Sequence, residues 1–217
     1  MAKYSNDVDL LKWEPVVFHD LAYPSQTLCC GADGVISGTA FTSPTGSFLE
    51  AGVSAGHVIV VQSGELAESC YEVASVEGPT ELKVSVVRAN TTDALIAPPA
   101  ATGVQFRIST FDPQAEEAAY SLHQYFGLTG AGEVSLMLPA ILNERSLRQA
   151  SAYAVLAAVF TSSACGQPDP SGYWEKAARY QTLFEAARSR ARVELDRDQD
   201  NRFDEVRTGG VVRLRRL

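Results

Sequence analysis

VQFRISTFDPQAEEAAYSLHQYF, residues 104 to 126, changes its apolar period in the middle. Val104, Phe106 and Ile108 alternate with polar neighbours, the two-residue period of a half-buried strand. Beyond Asp112-Pro113 the apolar positions become Ala115, Ala119, Leu122 and Phe126, spaced for one face of a helix. Asp-Pro is itself a helix-start signal, an acceptor side chain followed by a proline in the first turn. The chain therefore divides near residue 111, with β structure before it and α structure after it.

Working back towards the N-terminus, the strand signal recurs in VISGTAF (35–41), HVIVVQS (57–63), CYEVASVE (70–77) and ELKVSVVR (81–88). Turn residues separate them: Ser43-Pro44-Thr45-Gly46, Ser63-Gly64 and Glu77-Gly78-Pro79-Thr80. Five short strands with no helical insert predict a small barrel or sandwich over residues 35–110. Residues 1–34, broken by Pro15 and Pro24, read as an N-terminal arm, extended or irregular, with room for one short helix.

Working forward, Gly127 ends the first helix and Pro139 interrupts EVSLMLPAIL. A helix over 144–162 is apolar on most sides and alanine-rich, which suits a central position. The next helix spans 173–194, with Tyr173, Ala177, Tyr180, Phe184, Ala187 and Ala191 in one seam and Lys176, Arg179, Arg188, Arg190 and Arg192 opposite. The expected fold class is α+β: a small β-barrel-like module, then a bundle of three to four helices over 111–194. An acidic turn and a basic, extended C-terminal arm follow over 195–217.

The 217 residues carry a net charge of −8, unevenly placed. Residues 1–170 hold 7 Lys/Arg against 18 Asp/Glu, a balance of −11, while residues 171–217 hold 11 against 8, a balance of +3. An acidic body holds a phosphate backbone poorly, so nucleic-acid binding is disfavoured as the main activity. The basic tail, with Arg213, Leu214, Arg215 and Arg216, reads as a hook for an acidic protein partner. No apolar run is long enough to span a membrane. The N-terminus is too polar for a signal peptide, which places synthesis in a cytoplasm. The four cysteines, Cys29, Cys30, Cys70 and Cys165, lack metal-site spacing and read as reduced, mostly buried thiols.

Chemistry is advertised in one place, ELDRDQDNRFDE, residues 194–205. With Asp196 as position 1 of a calcium loop, Asp198, Asp200 and Asp204 fill positions 3, 5 and 9. Asn201 takes the glycine position and Arg202 could lend its carbonyl. Arg207 stands where the bidentate glutamate belongs, so a calcium ion would be held weakly. A solvated turn ending the long helix, with Asn201 at the bend and Phe203 packed back on the bundle, explains the same residues. Catalytic patterns are missing: His19, His57 and His123 are scattered, and neither a phosphate loop nor G-x-S-x-G occurs. The chain reads as no enzyme, with no catalytic or cofactor-binding residue.

FDPQAEEAAYSLHQYFGL, the alanine-rich LRQASAYAVLAAVF, the long helix YWEKAARYQTLFEAARSRA, the D-x-D-x-D turn and the short basic end together resemble the head-to-tail adaptor (connector, head-completion) proteins of tailed bacteriophages. The resemblance covers residues 111–217. FLEAGVSAGHVIVV and YEVASVEGPTELKVSVV look like small β-barrel modules of virion neck and tail components, here appended or inserted. The resemblance implies a structural virion protein of the neck, a homo-oligomeric ring, commonly of twelve copies. Its partners would be the portal protein above and a tail or stopper protein below, with genomic DNA passing through the lumen unread. Rival readings are another virion part (stopper, tail-completion or baseplate protein) and a cellular calcium-binding interaction module.

Overall fold

A computed structural model of the chain describes residues 3–21, 23–64, 66–128, 140–165, 170–196 and 200–209. The fold is α+β, with a closed antiparallel barrel of six strands and several helices. Two units are distinguished, Asn6–Phe111 and Met1–Ser5 together with Asp112–Leu217. The boundary falls where the apolar period changes.

In the first unit the strands are β1 (Thr27–Ser37), β2 (Ala40–Thr42), β3 (Val58–Gln62), β4 (Ser69–Gly78), β5 (Glu81–Ser85) and β6 (Ala101–Ser109). Their order is β1-β2-β5-β4-β3-β6, and β6 pairs back onto β1, so the barrel has no open edge. Inward positions carry Ile36, Phe41, Phe48, Ile59, Val61, Val73, Leu82, Val84, Val104, Phe106 and Ile108, all buried. Each such side chain contributes about 1.5–3 kcal/mol by leaving water. At the centre, the Phe106 ring meets Phe41 edge-on at 5.1 Å and Phe48 at 6.0 Å. Gly31 and Gly34 make room for these rings: a Cβ on Gly31 would lie 2.6 Å from Phe106, and one on Gly34 would lie 2.8 Å from Phe41.

Two expectations for this unit need correction. VISGTAF is a hairpin, not one strand: β1 ends at Ser37, Ser37 pairs with Ala40, and Gly38 turns the chain at φ 59°. Residues 1–34 are not an irregular arm. They hold α1 (Asp7–Trp13), α2 (Val17–Asp20), a 3-10 turn (Pro24–Gln26) and the first part of β1. Asn6 caps α1 in a reciprocal box with Asp9, and Leu10, Leu11, Val17 and Phe18 are buried. Asp7 Oδ1 accepts the Phe111 amide at 2.9 Å, tying the two ends of the unit together.

Polar clamps fix the loops of the barrel. Asp33 accepts from Ser43 Oγ (2.6 Å) and from the Thr45 amide (2.9 Å) and hydroxyl (2.7 Å). Inside the wall, buried Arg88 donates through Nε to buried Glu72, and through Nη1 to the Thr91 and Asp93 carbonyls at 3.0 and 2.6 Å.

The second unit holds α3 (Asp112–Tyr125), α4 (Arg145–Ala164) and α5 (Ser171–Arg190). Gly127 closes α3 at φ 63°, where a side chain would be strained. α4 packs against both α3 and α5, and its Leu147, Ala150, Val155, Leu156 and Phe160 are buried. Phe160 stacks on Tyr180 at 5.8 Å, and Tyr153 lies 6.0 Å from the same ring. Ser5 Oγ bonds Ser151 Oγ at 2.7 Å, which joins the N-terminal residues to this unit.

The long helix stops earlier than its seam suggests. After Arg190 the chain enters β8 (Arg192–Asp196), and β8 pairs with β7 (Ala140–Ile141) and β9 (Glu205–Thr208). The reason is visible in the residues: Val193 and Leu195 are fully buried while Arg192 is exposed, an alternation of two that a helix cannot satisfy. The stretch expected as an acidic turn and extended arm over 195–217 therefore contains strand, β9, at Glu205–Thr208. Residues 129–139, with most of EVSLMLPAIL, lie outside the described residues.

Candidate functional site

The acidic stretch is a hairpin loop between β8 and β9, where β alternation and not a helix end positions its aspartates. Asp196 is buried, and its Oδ2 accepts the Asn201 amide at 2.8 Å. Asp200 Oδ1 accepts the Arg202 amide at 2.7 Å, and the Asp204 amide returns to the Leu195 carbonyl at 2.8 Å. Asn201 takes φ 62°, the left-handed conformation its position called for. These bonds tie Asp196 and Asp200 into the loop's own backbone. Asp198, the fourth expected ligand, lies outside the described residues. Among the described residues, Asp196, Asp200 and Asp204 do not gather into a group able to hold a metal ion. Phe203 does not pack back on the helices; it is 61% exposed. Arg213, Leu214, Arg215 and Arg216 lie outside the described residues.

The same sheet carries apolar side chains into solvent. Leu142, just past β7, bonds through its amide to the Glu194 carbonyl, and Glu194 pairs with Val206, so Leu142, Glu194 and Val206 form one row beside and across β8 and β9. Leu142 and Val206 are exposed on the face opposite the buried Val193 and Leu195. β9 is an edge strand that pairs, among the described residues, with β8 alone.

A second constellation lies in the barrel unit. An open groove of about 610 Å³ is lined by Leu11 and Lys12 of α1, Pro15, Val87 and the start of β4. In it Cys70 Sγ lies 3.2 Å from His19 Nε2, and His19 Nδ1 lies 3.4 Å from Glu68 Oε1. Glu68, just before β4, and Cys70, within it, both face the groove. α2 brings His19 to them. Burial pushes the Cys70 thiol up to about 12, with the Glu68 charge adding to the rise and Arg107 opposing it. Sequence reading missed this cluster because its histidine is remote in sequence. The E-x-C spacing was the available signal.

The other cysteines also depart from expectation: none is fully buried, and Cys30 and Cys165 are exposed. Burial raises Cys29 to about 11. The other two histidines are held locally, His57 by the Ser54 amide at 3.1 Å and His123 by the Tyr4 hydroxyl.

Compared with known proteins, the chain matches no protein-family model, no curated protein and no solved structure. Among the described residues no helix is long and apolar enough to cross a membrane.

Proposed function

We propose that the chain is a structural protein of the tailed-phage neck, a head-to-tail adaptor. In this reading it forms a ring, of twelve copies on the family pattern, beneath the portal, joins capsid to tail and lets DNA pass. Helices α3, α4 and α5 form the adaptor bundle, and the residues from Thr208 onward form the arm that docks on the portal. The barrel is the added module.

One observation carries the reading. The C-terminal sheet offers an edge strand, β9, with exposed Leu142, Val206 and Phe203 nearby. It leads directly into the basic end of an otherwise acidic chain. An open strand edge is a template for pairing with another chain, and apolar side chains around it favour an interface over solvent. Arg213, Leu214, Arg215 and Arg216 then supply the basic contact with the portal. The acidic loop serves first as the hairpin turn, and any calcium it takes is held weakly for want of the twelfth-position carboxylate.

Sedimentation velocity of the chain mixed with its portal tests this, using the full chain and one lacking residues 208–217. The full chain should co-sediment with the portal, while the truncated chain keeps its helical circular dichroism and stays free. Equal co-sedimentation of both, or of neither, contradicts the docking role of the arm.

A further inference from the structure

We propose that Cys70 is a nucleophilic thiol that accepts an acyl group, in a relay formed by Glu68, His19 and Cys70 on the groove of the barrel unit. The argument starts from the two nitrogens of His19. Nδ1 faces Glu68 and Nε2 faces the Cys70 sulfur, so the two partners lie at opposite ring nitrogens. A carboxylate at Nδ1 holds the proton there and leaves Nε2 as an acceptor for the S–H. Nucleophile, base and orienting carboxylate in a chain is the arrangement that activates a weak nucleophile. A metal cage would need the donors to converge on one point, and this geometry places two of them on opposite sides of the ring.

Access supports a chemical role over a packing role. The His19 and Glu68 side chains are 24% and 44% exposed. All three residues line the open groove. Because burial holds the sulfur protonated at rest, it becomes a nucleophile only as its proton moves to His19. Reactivity should then depend on the imidazole itself.

The groove suggests the class of reactant. Leu11, Pro15, Tyr71 and Val87 offer apolar contact for a short acyl chain, and Lys12 offers a cation to a leaving group that departs as an anion. In the step proposed, Cys70 sulfur attacks the carbonyl carbon of an activated ester and its proton passes to His19 Nε2. The carbon–oxygen bond of the leaving group then breaks. The leaving alkoxide or phenoxide takes up the proton, and the products are a thioester on Cys70 and a free alcohol or phenol. One acylation per chain is a modification and is compatible with a structural role in the virion.

The test uses the full chain with 4-nitrophenyl acetate, following acetylation of each cysteine by mass spectrometry. Cys29, Cys30 and Cys165 serve as internal standards, the second and third being more exposed than Cys70. Cys70 should acetylate about tenfold or more faster than Cys30 and Cys165, within the range a positioned base supplies. His19→Gln should bring Cys70 down to or below the rate of those two while leaving their rates unchanged. Glu68→Gln should give an intermediate rate. The proposal is overturned if Cys70 in the unaltered chain reacts no faster than Cys30 and Cys165. It is equally overturned if a folded His19→Gln or Glu68→Gln chain keeps the full Cys70 rate. The comparison within the unaltered chain needs no variant and stands whether or not the variants fold.

Discussion

Single side chains in this protein are tuned by what they touch, and four of them make the tuning measurable. Glu72 and Arg88 are 3% and 8% exposed and face one another inside the barrel wall. Removing one partner of a buried pair strands the other charge, so Arg88→Ala should cost about 3–5 kcal/mol in denaturant unfolding. Replacing both by apolar residues of similar size should cost much less. Asp33 and His123 predict the acid response. Hydrogen bonds from Ser43, and then from Thr45, hold the Asp33 carboxyl near 2, against an ordinary value of 3.8. Its pKa is lowered by folding, so its stabilisation is complete above about 3.8 and disappears as pH falls towards 2. Burial lowers His123 below its ordinary 6.5, and the Tyr4 hydroxyl beside it favours a neutral acceptor nitrogen. The unfolded chain therefore binds the proton better, and stability falls as pH drops below 6.5. Urea midpoints measured against pH should decline over two windows. Asp33→Asn should flatten the lower one and His123→Gln the upper one.

At the scale of elements, the C-terminal hairpin shows how much was legible in the residues. The barrel strands with clean alternation, such as Val104-Phe106-Ile108, were readable, as was α3, which begins at Asp112 as its Asp-Pro signal requires. The first half of β1 was not. TLCCGADG is rich in glycine and small residues because rings from other strands, Phe106 and Phe41, fill the space a side chain would take. Local pattern carries no trace of that. The end of α5 was misread because Ala187 and Ala191 continue the seam, while Val193 and Leu195 alternate only once β8 has partners on both sides. The left-handed bend was placed correctly at Asn201, since few other residues tolerate it. The Glu68, His19 and Cys70 cluster stayed hidden because it exists only through tertiary contact. Two substitutions test the hairpin. Leu195→Ala empties a fully buried position and should cost about 2–5 kcal/mol. Asn201→Gly should be neutral within about 1 kcal/mol, whereas Asn201→Val forces a β-branched residue into positive φ and should cost about 1–3 kcal/mol. Thermal melts of the three variants order these effects.

For the whole molecule, chain connectivity is informative. The helical unit is built from residues on both sides of the barrel unit, Met1–Ser5 and Asp112–Leu217, so the barrel lies between two parts of one body in sequence. That is how a module is added to an existing scaffold without breaking its core. The adaptor reading assigns the scaffold to the neck ring and the barrel, with its groove thiol, to an added module. Neck, tail tip and host cytoplasm are distinct places, and each rival reading belongs to a different one. If the adaptor account holds, a phage encodes the chain, and the most direct measurement is immunogold electron microscopy on purified virions of that phage, with antibody raised against the chain. The adaptor account predicts gold at the junction between capsid and tail, and on particles that have lost their tails, at the vertex that carries the portal. Label confined to the distal tip of the tail, or virions without the protein, would contradict it.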